Sequence, residues 1–223
     1  MIKNKKFPEA ISNYITQQNL ELISQDVYFI LAEIFHYDNF YSYINEAFMV
    51  GLFNALGIIQ DQENFYSIIK VITQINSEIL VSSKKFKTLN ENIFKKTFHH
   101  HDKAGILIEG MIRILNIDLD KEVKYVILQS FLDLLESSQV CVIYSCDLES
   151  FIDVSIKLLE TTYTQKLRLC LLEVFNQLIR FDEYHKMKYK IFELVEILES
   201  LEENDDVSEK CKEICRKILE NIQ

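Results

Sequence analysis

Apolar residues recur at helical spacing in two neighbouring stretches of the last third of the chain. In the first, Leu148 is followed by apolar residues at steps of four, four and three; in the second, Leu167 is followed at steps of four, three and four. This spacing places the apolar side chains on one face of an α-helix. Only a short polar turn, Thr161 to Thr164, separates the stretches, so we expect two helices that fold back on each other. Such a helix pair is the repeating unit of an α-solenoid.

The same periodicity continues over the whole chain and predicts about eleven helices joined by short loops. The helix near Asp120 to Glu136 is apolar on two sides and is therefore expected inside the stack. We find no sharp sequence period, so the expected fold class is an all-α solenoid of the degenerate armadillo or HEAT kind. The predicted helices comprise a short and a longer one within Phe7 to His36, and others at about Tyr41–Ile59, Gln62–Val81, Lys85–His99, Lys103–Asn116, Asp120–Glu136, Asp147–Glu160, Thr164–Arg180, Glu183–Leu201 and Val207–Ile222.

Composition favours one helical domain over residues 1–223. The chain has one proline and four glycines, too few for a flexible linker or for the dense turns of an all-β fold. With 48% hydrophobic residues, it can bury roughly 70% of its unfolded surface without disulfides or metals. The formal net charge of −10 disfavours nucleic acid and anionic lipid as partners, because both are held by basic surfaces.

The sequence predicts a cytoplasmic protein that does not insert into a membrane. The longest apolar run, Ala47 to Ile59, is interrupted by Asn54 and is too short to span a bilayer. The basic amino-terminal residues are not followed by an apolar segment of the secretory type. The five cysteines are an odd number and fit reduced thiols in a reducing compartment.

Metal binding and catalysis have weak candidates. The tract His99 to Asp102 offers zinc ligands, but adjacent residues on a helix point about 100° apart and cannot converge on one ion. Cys211 and Cys215 share a helix face, and buried apolar packing is the favoured interpretation of both. None of the common nucleophile, phosphate-loop, dinucleotide or zinc-protease motifs is present. We therefore expect a protein that is not an enzyme and uses no cofactor.

Two charged segments stand out from the acidic background. The first, from Lys84 to Lys103, holds six lysines against Glu91 and Asp102; we call it the basic strip. The second, from Glu196 to Glu209, is rich in carboxylates; we call it the acidic run. Each is most simply a solvated surface, and each could instead receive a partner of opposite charge.

Several segments resemble the leucine-rich domain of the WISH/DIP/SPIN-ninety family, to which the fungal Dip and Ldb proteins belong. That family has an aromatic-Tyr-Thr-Asn-Asp-Leu segment, then Leu-Ile-Asp-Ile with a basic residue, then a Leu-Arg pair, and a Tyr followed five residues later by Tyr-Lys. The likeness covers about residues 20–201 in collinear order and is strongest in the last third. The matching segments are Ile72–Glu78, Ile108–Asn116, Val126–Leu135, Ile143–Leu148, Phe151–Leu159, Leu167-Arg168, Tyr184 and Tyr189-Lys190.

The resemblance implies an armadillo-like domain that binds the actin-related protein 2/3 complex and activates it without a preformed filament. The product would be a linear seed filament, so actin would be an indirect partner at the actin cytoskeleton or cell cortex. The alternative is an armadillo-like protein-binding scaffold without nucleation-promoting activity. A helical metalloprotein is a third and weaker interpretation, and the sequence predicts no oligomeric state.

The candidate protein-binding residues are basic residues of the matching segments. Two of them, Arg168 and Lys190, occupy family-like positions, and the others are basic residues of the same predicted helices. The alternative is that all are ordinary solvated side chains. The full set is Lys157, Arg168, Arg180, Lys186, Lys188 and Lys190.

Overall fold

The computed structural model describes residues 44–86, 92–136 and 145–222, with the side chains of 82–86 and 145–146 excepted. These residues form ten α-helices and no strand. The helices are α1 (Glu46–Leu56), α2 (Gln62–Phe86), α3 (Ile93–His100), α4 (Ala104–Asn116), α5 (Lys121–Glu136), α6 (Ser145–Thr161), α7 (Gln165–Leu178), α8 (Asp182–Met187), α9 (Ile191–Glu203) and α10 (Glu209–Ile222).

The helix predictions that fall in these ranges are confirmed, with three corrections. The helix expected at about Tyr41–Ile59 covers Glu46–Leu56, because Asn45 caps its start by accepting from the Phe48 amide at 2.9 Å. The helix expected from Lys85 begins at Ile93, because Lys85 still belongs to α2 and Asn92 caps the start of α3 by accepting from the Phe94 amide at 3.0 Å. The helix expected over Glu183 to Leu201 is two helices, α8 and α9. The two helices predicted within Phe7 to His36 lie outside the described residues.

The break between α8 and α9 is made by two lysines in the left-handed backbone region. Lys188 has φ 49° and Lys190 has φ 51°, and a helix cannot continue through such a residue. Tyr184 anchors α8 on the other side: its ring is buried, and burial raises the pKa of its hydroxyl to about 12. Neither lysine carries the sequence signal of a break, since glycine and asparagine are the usual residues there.

The chain divides into two compact units, Met1–Met111 and Ile112–Gln223, and the division falls within α4. In the first unit, α1 packs against α2 and α3. Gly110 of α4 lies directly on α2, where an added Cβ would overlap Ile69 Cδ1 and approach Phe65 Cε1 to 2.9 Å. The glycine is therefore needed for the close approach of these two helices.

The second unit is built around α7, which is buried on two sides. Its main neighbours are α5 and α10, and its contact with α6 is smaller, so the predicted fold-back of α6 and α7 is only part of its packing. The three helices α5, α7 and α10 begin side by side: Lys166 Nζ lies 2.6 Å from Glu122 Oε1, and Gln165 Nε2 donates to the Asp206 carbonyl at 2.8 Å. α6 and α9 pack together in the same unit, and Phe131 of α5 stacks on Phe151 of α6.

Candidate functional site

The predicted basic residues fall into two groups with different environments. Arg168 and Lys190, the two at family-like positions, are engaged by other residues of the chain. The remaining four, Lys157, Arg180, Lys186 and Lys188, are exposed, and within the described residues no carboxylate lies within ion-pair distance of them. The structure therefore does not gather the predicted set into one patch.

Arg168 is a buried residue of α7, only 7% exposed. Its Nη2 donates to the Thr162 carbonyl at 2.6 Å, which satisfies a carbonyl just beyond the end of α6. Its Nε is buried and has no hydrogen-bond partner. Within the described residues it forms no ion pair. The contact joins the connection after α6 to the first turn of α7.

Lys190 is tied to two carboxylates from different helices. Its Nζ lies 3.1 Å from Asp153 Oδ1 of α6 and 3.0 Å from Glu193 Oε2 of α9. The hydrogen bonds to Glu193 and Asp153 raise the pKa of Lys190. The neighbouring Tyr189 hydroxyl donates to Asp153 Oδ2 at 3.3 Å, so this short segment is fixed to α6.

The four exposed cations do not all lie together. Lys157 on α6 is near Lys124 in the first turn of α5; burial lowers the pKa of Lys124, Asp118 opposes this, and the Lys157 charge lowers it further. Arg180 lies beyond the far end of α7, whose 14 residues span about 20 Å. Lys186 and Lys188 follow it closely in α8 and its cap. Three cations therefore share the segment 180–188, and Lys157 stands apart.

A cleft of about 530 Å³ opens between the end of α6, the start of α7 and the second half of α9. We call it the Arg168 cleft. Three carboxylate residues line it, Glu160, Glu196 and Asp206, and Arg168 is its one basic lining residue. Apolar surface comes from Leu159, Ile197 and Leu201, and the ring of Tyr163 stands beside it, 84% exposed.

Short polar contacts hold the walls of the Arg168 cleft. Gln165 donates to the Asp206 carbonyl at 2.8 Å, which fixes the α9–α10 loop against α7. Asn204 Oδ1 accepts the Asp206 amide at 2.8 Å and shapes the same loop. The adjacent Val207 is buried and anchors it. The α9–α10 loop, which forms one wall of the cleft, is therefore fixed by hydrogen bonds and by a buried side chain.

Sequence reasoning missed this cleft because its walls come from separate segments. One signal was present: Arg168 falls in register with Leu172, Phe175 and Ile179, an apolar stripe on the second buried side of α7. A cation on such a stripe is expected to be buried. The lining carboxylates Glu196 and Asp206 belong to the acidic run, two further members of which, Glu202 and Glu209, pair with Arg216 at 2.8 and 3.0 Å.

Of the histidine and cysteine candidates that the structure describes, His99 and His100 are exposed, and His101, Cys170, Cys211 and Cys215 pack against other residues. Within the described residues, no three His, Cys, Asp or Glu side chains are placed to hold a metal ion. His101 lies beside the Phe53 ring, and its Nδ1 accepts the Lys103 amide at 3.2 Å; burial lowers its pKa, Asp102 opposes this, and Lys103 adds to the lowering. Cys170, Cys211 and Cys215 are buried free thiols, and burial raises the pKa of Cys170 and Cys215 to about 12.

The lysines of the basic strip are not confined to one helix, since the strip extends from the end of α2 through α3 to Lys103, just before α4. Lys84 and Lys85 belong to α2, and Lys95 and Lys96 belong to α3. Lys96 pairs with Glu46 at 2.9 Å, and Lys103 pairs with Asp102 at 2.9 Å. These ion pairs are exposed, so each contributes little to the stability of the fold. Lys96 and Lys103 are nevertheless already paired, which makes them less available to the carboxylates of a partner.

No helix of the described ranges is long and apolar enough to cross a membrane. This agrees with the interrupted and short apolar run that the sequence shows.

The family comparison gives a match to the SPIN90/Ldb17 leucine-rich domain over residues 61–194, more than half of the chain. This match confirms the family resemblance described from the sequence. No sequence among the curated proteins is significantly similar to the chain. The matched range includes α2 to α8 and the beginning of α9, and therefore both Arg168 and the segment 180–188.

Among the solved structures that resemble the chain are three engineered proteins, two of which are designed armadillo-repeat proteins. A crystal structure of an engineered protein, a structural-genomics target, has a TM-score of 0.53 at 15% identity and covers 96% of each chain. A designed armadillo-repeat protein has a TM-score of 0.50 at 16% identity, covering 94% of this chain and 99% of its own. Another, in complex with the peptide (KR)4, has a TM-score of 0.50 at 13% identity, covering 97% and 100%. At such identities the likeness concerns the fold alone, and the predicted all-α, armadillo-like fold class is confirmed.

Proposed function

Since this chain belongs to the SPIN90/Ldb17 leucine-rich-domain family, we propose that it binds the actin-related protein 2/3 complex, activates it without a preformed filament and so seeds linear actin filaments. The observation that carries the proposal is the family match over residues 61–194. The family is consistent with a scaffold role in actin-related processes, and an armadillo-like fold suits that role because stacked helices present an extended surface to protein partners. The proposed place of action is the cytoplasm, at the actin cytoskeleton or cell cortex.

The proposed activation requires binding and no chemistry. A protein that holds the active arrangement of the complex more tightly than the inactive one shifts the population by the ratio of the two affinities. Reversing a 1:99 population to 99:1 takes about 5.5 kcal/mol of differential binding. The close packing around the buried helix α7 suits this task, because it keeps the surface of the unit rigid, and a rigid surface does not adapt equally to both arrangements.

We assign the contact with the complex to the segment 180–188 in the first place. Arg180, Lys186 and Lys188 are exposed there and have no ion-pair partner within the described residues. Cations in this state lose no internal contact when they meet a carboxylate of a partner. Lys157 is a separate exposed candidate, whereas Arg168 and Lys190 act by holding the helices that display the others.

The deciding experiment is single-filament imaging of fluorescent actin with purified 2/3 complex, this protein and no preformed filaments. We expect new linear filaments in proportion to the protein added. A folded sample that neither binds the complex nor accelerates assembly would sink the proposal. Binding without acceleration would instead favour the alternative function, a protein-binding scaffold that lacks nucleation-promoting activity.

A charge-reversal pair locates the contact. We expect Arg180→Glu with Lys186→Glu to weaken binding of the complex by about tenfold or more, because both exposed cations become repulsive. The matched control is Lys121→Glu with Lys212→Glu, which changes net charge equally at two other sites without an ion pair in the described structure. Equal loss in both variants, measured by pull-down and by filament counts, would show that net charge matters and that segment 180–188 is not the contact.

A further inference from the structure

The Arg168 cleft carries negative charge that the chain does not neutralise. Glu160, Glu196 and Asp206 are exposed, and within the described residues none has a cation within ion-pair distance. Elsewhere in the acidic run, Glu202 and Glu209 share Arg216 at 2.8 and 3.0 Å, whereas Glu199, Glu203 and Asp205 are exposed and unpaired within the described residues but do not line the cleft. Carboxylates that face one concave surface raise the local concentration of cations there.

Arg168 supplies the second and independent observation. It lines the cleft, is 7% exposed, and has a buried Nε without a hydrogen-bond partner. Its Nη2 is already committed to the Thr162 carbonyl. A guanidinium carries five N–H donors and Nη2 uses one of them on Thr162, so an acceptor oxygen brought into the cleft can be directed at the guanidinium. The cleft therefore favours a ligand that has a cation and also an uncharged acceptor.

The apolar part of the lining narrows the choice further. Leu159, Ile197 and Leu201 present hydrocarbon between the carboxylates, and this matches the methylene stem of a lysine or arginine. The main chain of a peptide supplies carbonyl acceptors. A ligand of the opposite kind, an acidic peptide or a nucleic acid, would bring further negative charge to three carboxylates.

Exposed aromatic rings extend the surface beyond the cleft. Tyr163 at its edge and Phe192 on α9 are each 84% exposed. Phe192 precedes the lining residue Glu196 by four positions, so both lie on one face of α9. Tyrosine and phenylalanine are enriched in protein interfaces, and the cleft volume of about 530 Å³ is in the range of ligand sites.

From these observations we propose that the Arg168 cleft is a docking site for a basic segment of a partner protein. One lysine or arginine side chain of that segment enters between Glu160, Glu196 and Asp206, a main-chain carbonyl faces Arg168, and apolar neighbours pack on Tyr163 and Phe192. This site does not depend on the proposed nucleation activity. The segment 180–188 serves that activity through exposed cations, which bind acidic groups of a partner, whereas the cleft binds basic groups.

The test is a titration of the full chain, labelled with ¹⁵N, with capped peptides. The probe is acetyl-Leu-Arg-Leu-amide, and the two comparison peptides replace arginine with citrulline, its neutral isostere, or with glutamate. We expect the arginine peptide to shift the amide resonances of Tyr163, Ser200 and Asn204. We expect citrulline to bind about tenfold more weakly, because the charge is lost while the shape is kept.

A triple neutralisation separates the cleft from general charge. Glu160→Gln with Glu196→Gln and Asp206→Asn should weaken arginine-peptide binding about tenfold or more and leave thermal unfolding nearly unchanged, since all three side chains are exposed. The matched control, Glu136→Gln with Glu183→Gln and Glu220→Gln, removes equal charge from exposed sites outside the cleft lining.

Five outcomes would overturn the proposal. Four of them are equal binding of the arginine and citrulline peptides, equal loss in the two triple variants, shifts confined to residues outside the cleft, and no shift at millimolar peptide. A fifth is concentration-dependent movement of the same resonances without peptide, which would identify a second copy of this chain as the occupant. None of these readouts involves the 2/3 complex, so failure here and failure of the proposed function are distinguishable.

Discussion

Two neighbouring regions of the second unit use basic residues in opposite ways. In the region of α6 and the start of α7, Arg168 is buried against the Thr162 carbonyl, and Lys190 joins Asp153 to Glu193. In the segment 180–188, the cations are exposed and unpaired within the described structure. The two residues at family-like positions are the two that the fold engages. We therefore propose that similarity at Arg168 and Lys190 reflects the fold and that the contact residues lie among their less similar neighbours.

One charge reversal in each region tests this comparison with the largest expected difference in stability. Arg168→Glu removes the hydrogen bond to Thr162 and buries a carboxylate beside Glu160 and Glu196 without a cation. We expect it to lower the free energy of unfolding by about 3 kcal/mol or more. Arg180→Glu is the same chemical change on exposed surface and should stay within about 0.5 kcal/mol.

Urea unfolding followed by circular dichroism measures both variants. A third variant, Arg168→Met, keeps the apolar stem and loses the hydrogen bond, so an intermediate cost of about 1–2 kcal/mol is expected. If Arg168→Glu and Arg180→Glu destabilised equally, the division into engaged and exposed cations would be wrong.

A smaller effect is expected at the two left-handed lysines, which share a backbone conformation and differ in their partners. The left-handed region costs an L-residue about 1–2 kcal/mol, and glycine avoids that cost. Glycine also makes the unfolded chain more flexible, which offsets part of the gain in stability. We expect Lys188→Gly to raise the free energy of unfolding by about 0.5 kcal/mol.

Lys190→Gly gains the same backbone relief but loses the pairs with Asp153 and Glu193, so it should stabilise less than Lys188→Gly. The control is Lys186→Gly inside α8, where φ is helical and glycine should cost about 1 kcal/mol. Equal gains at 188 and 190, in the same urea assay, would mean that the Lys190 ion pairs add nothing to stability.

The helices could be predicted from the sequence because their signal is local. The apolar period places α4 within one residue of its observed start, Ala104 against the predicted Lys103. The α8–α9 break was missed because Lys188 and Lys190 adopt a conformation that lysine rarely selects, held in part by Asp153 from a distant helix. A contact between residues far apart in the sequence does not appear in the apolar periodicity from which the helices are predicted.

The candidate site was predictable to a smaller extent for the same reason. The sequence indicated which basic residues to consider. Which of them are exposed depends on the packing of α7, which is buried on two sides and lies against α5 and α10. The apolar register of Arg168 with Leu172 and Phe175 could have indicated its burial. Its pairing with the Thr162 carbonyl depends on a turn geometry that no sequence spacing specifies.

The smallest expected effect extends the comparison to His101, a residue of the first unit whose surroundings disfavour the protonated form. Burial, opposed by Asp102 and assisted by Lys103, lowers its folded pKa below the unfolded value of 6.5. The unfolded chain therefore binds more protons, so this contribution to stability falls as pH drops below about 6.5 and levels off under the folded pKa. His101→Asn should reduce the loss of stability between pH 7.5 and pH 5.5, as measured by thermal unfolding at both values; an unchanged loss would contradict this account.

The hydrogen bond from Arg168 to the Thr162 carbonyl also affects the entropy cost of binding a partner at Tyr163. An exposed loop ring ordinarily samples many positions, and a partner must pay for ordering the loop as well as the side chain. Here the carbonyl next to Tyr163 is clamped by a buried guanidinium at 2.6 Å, so the backbone entropy has already been lost in folding. The aromatic ring is displayed from an ordered support with only its own two torsions left to fix, as in the pre-organised tyrosines of antibody loops.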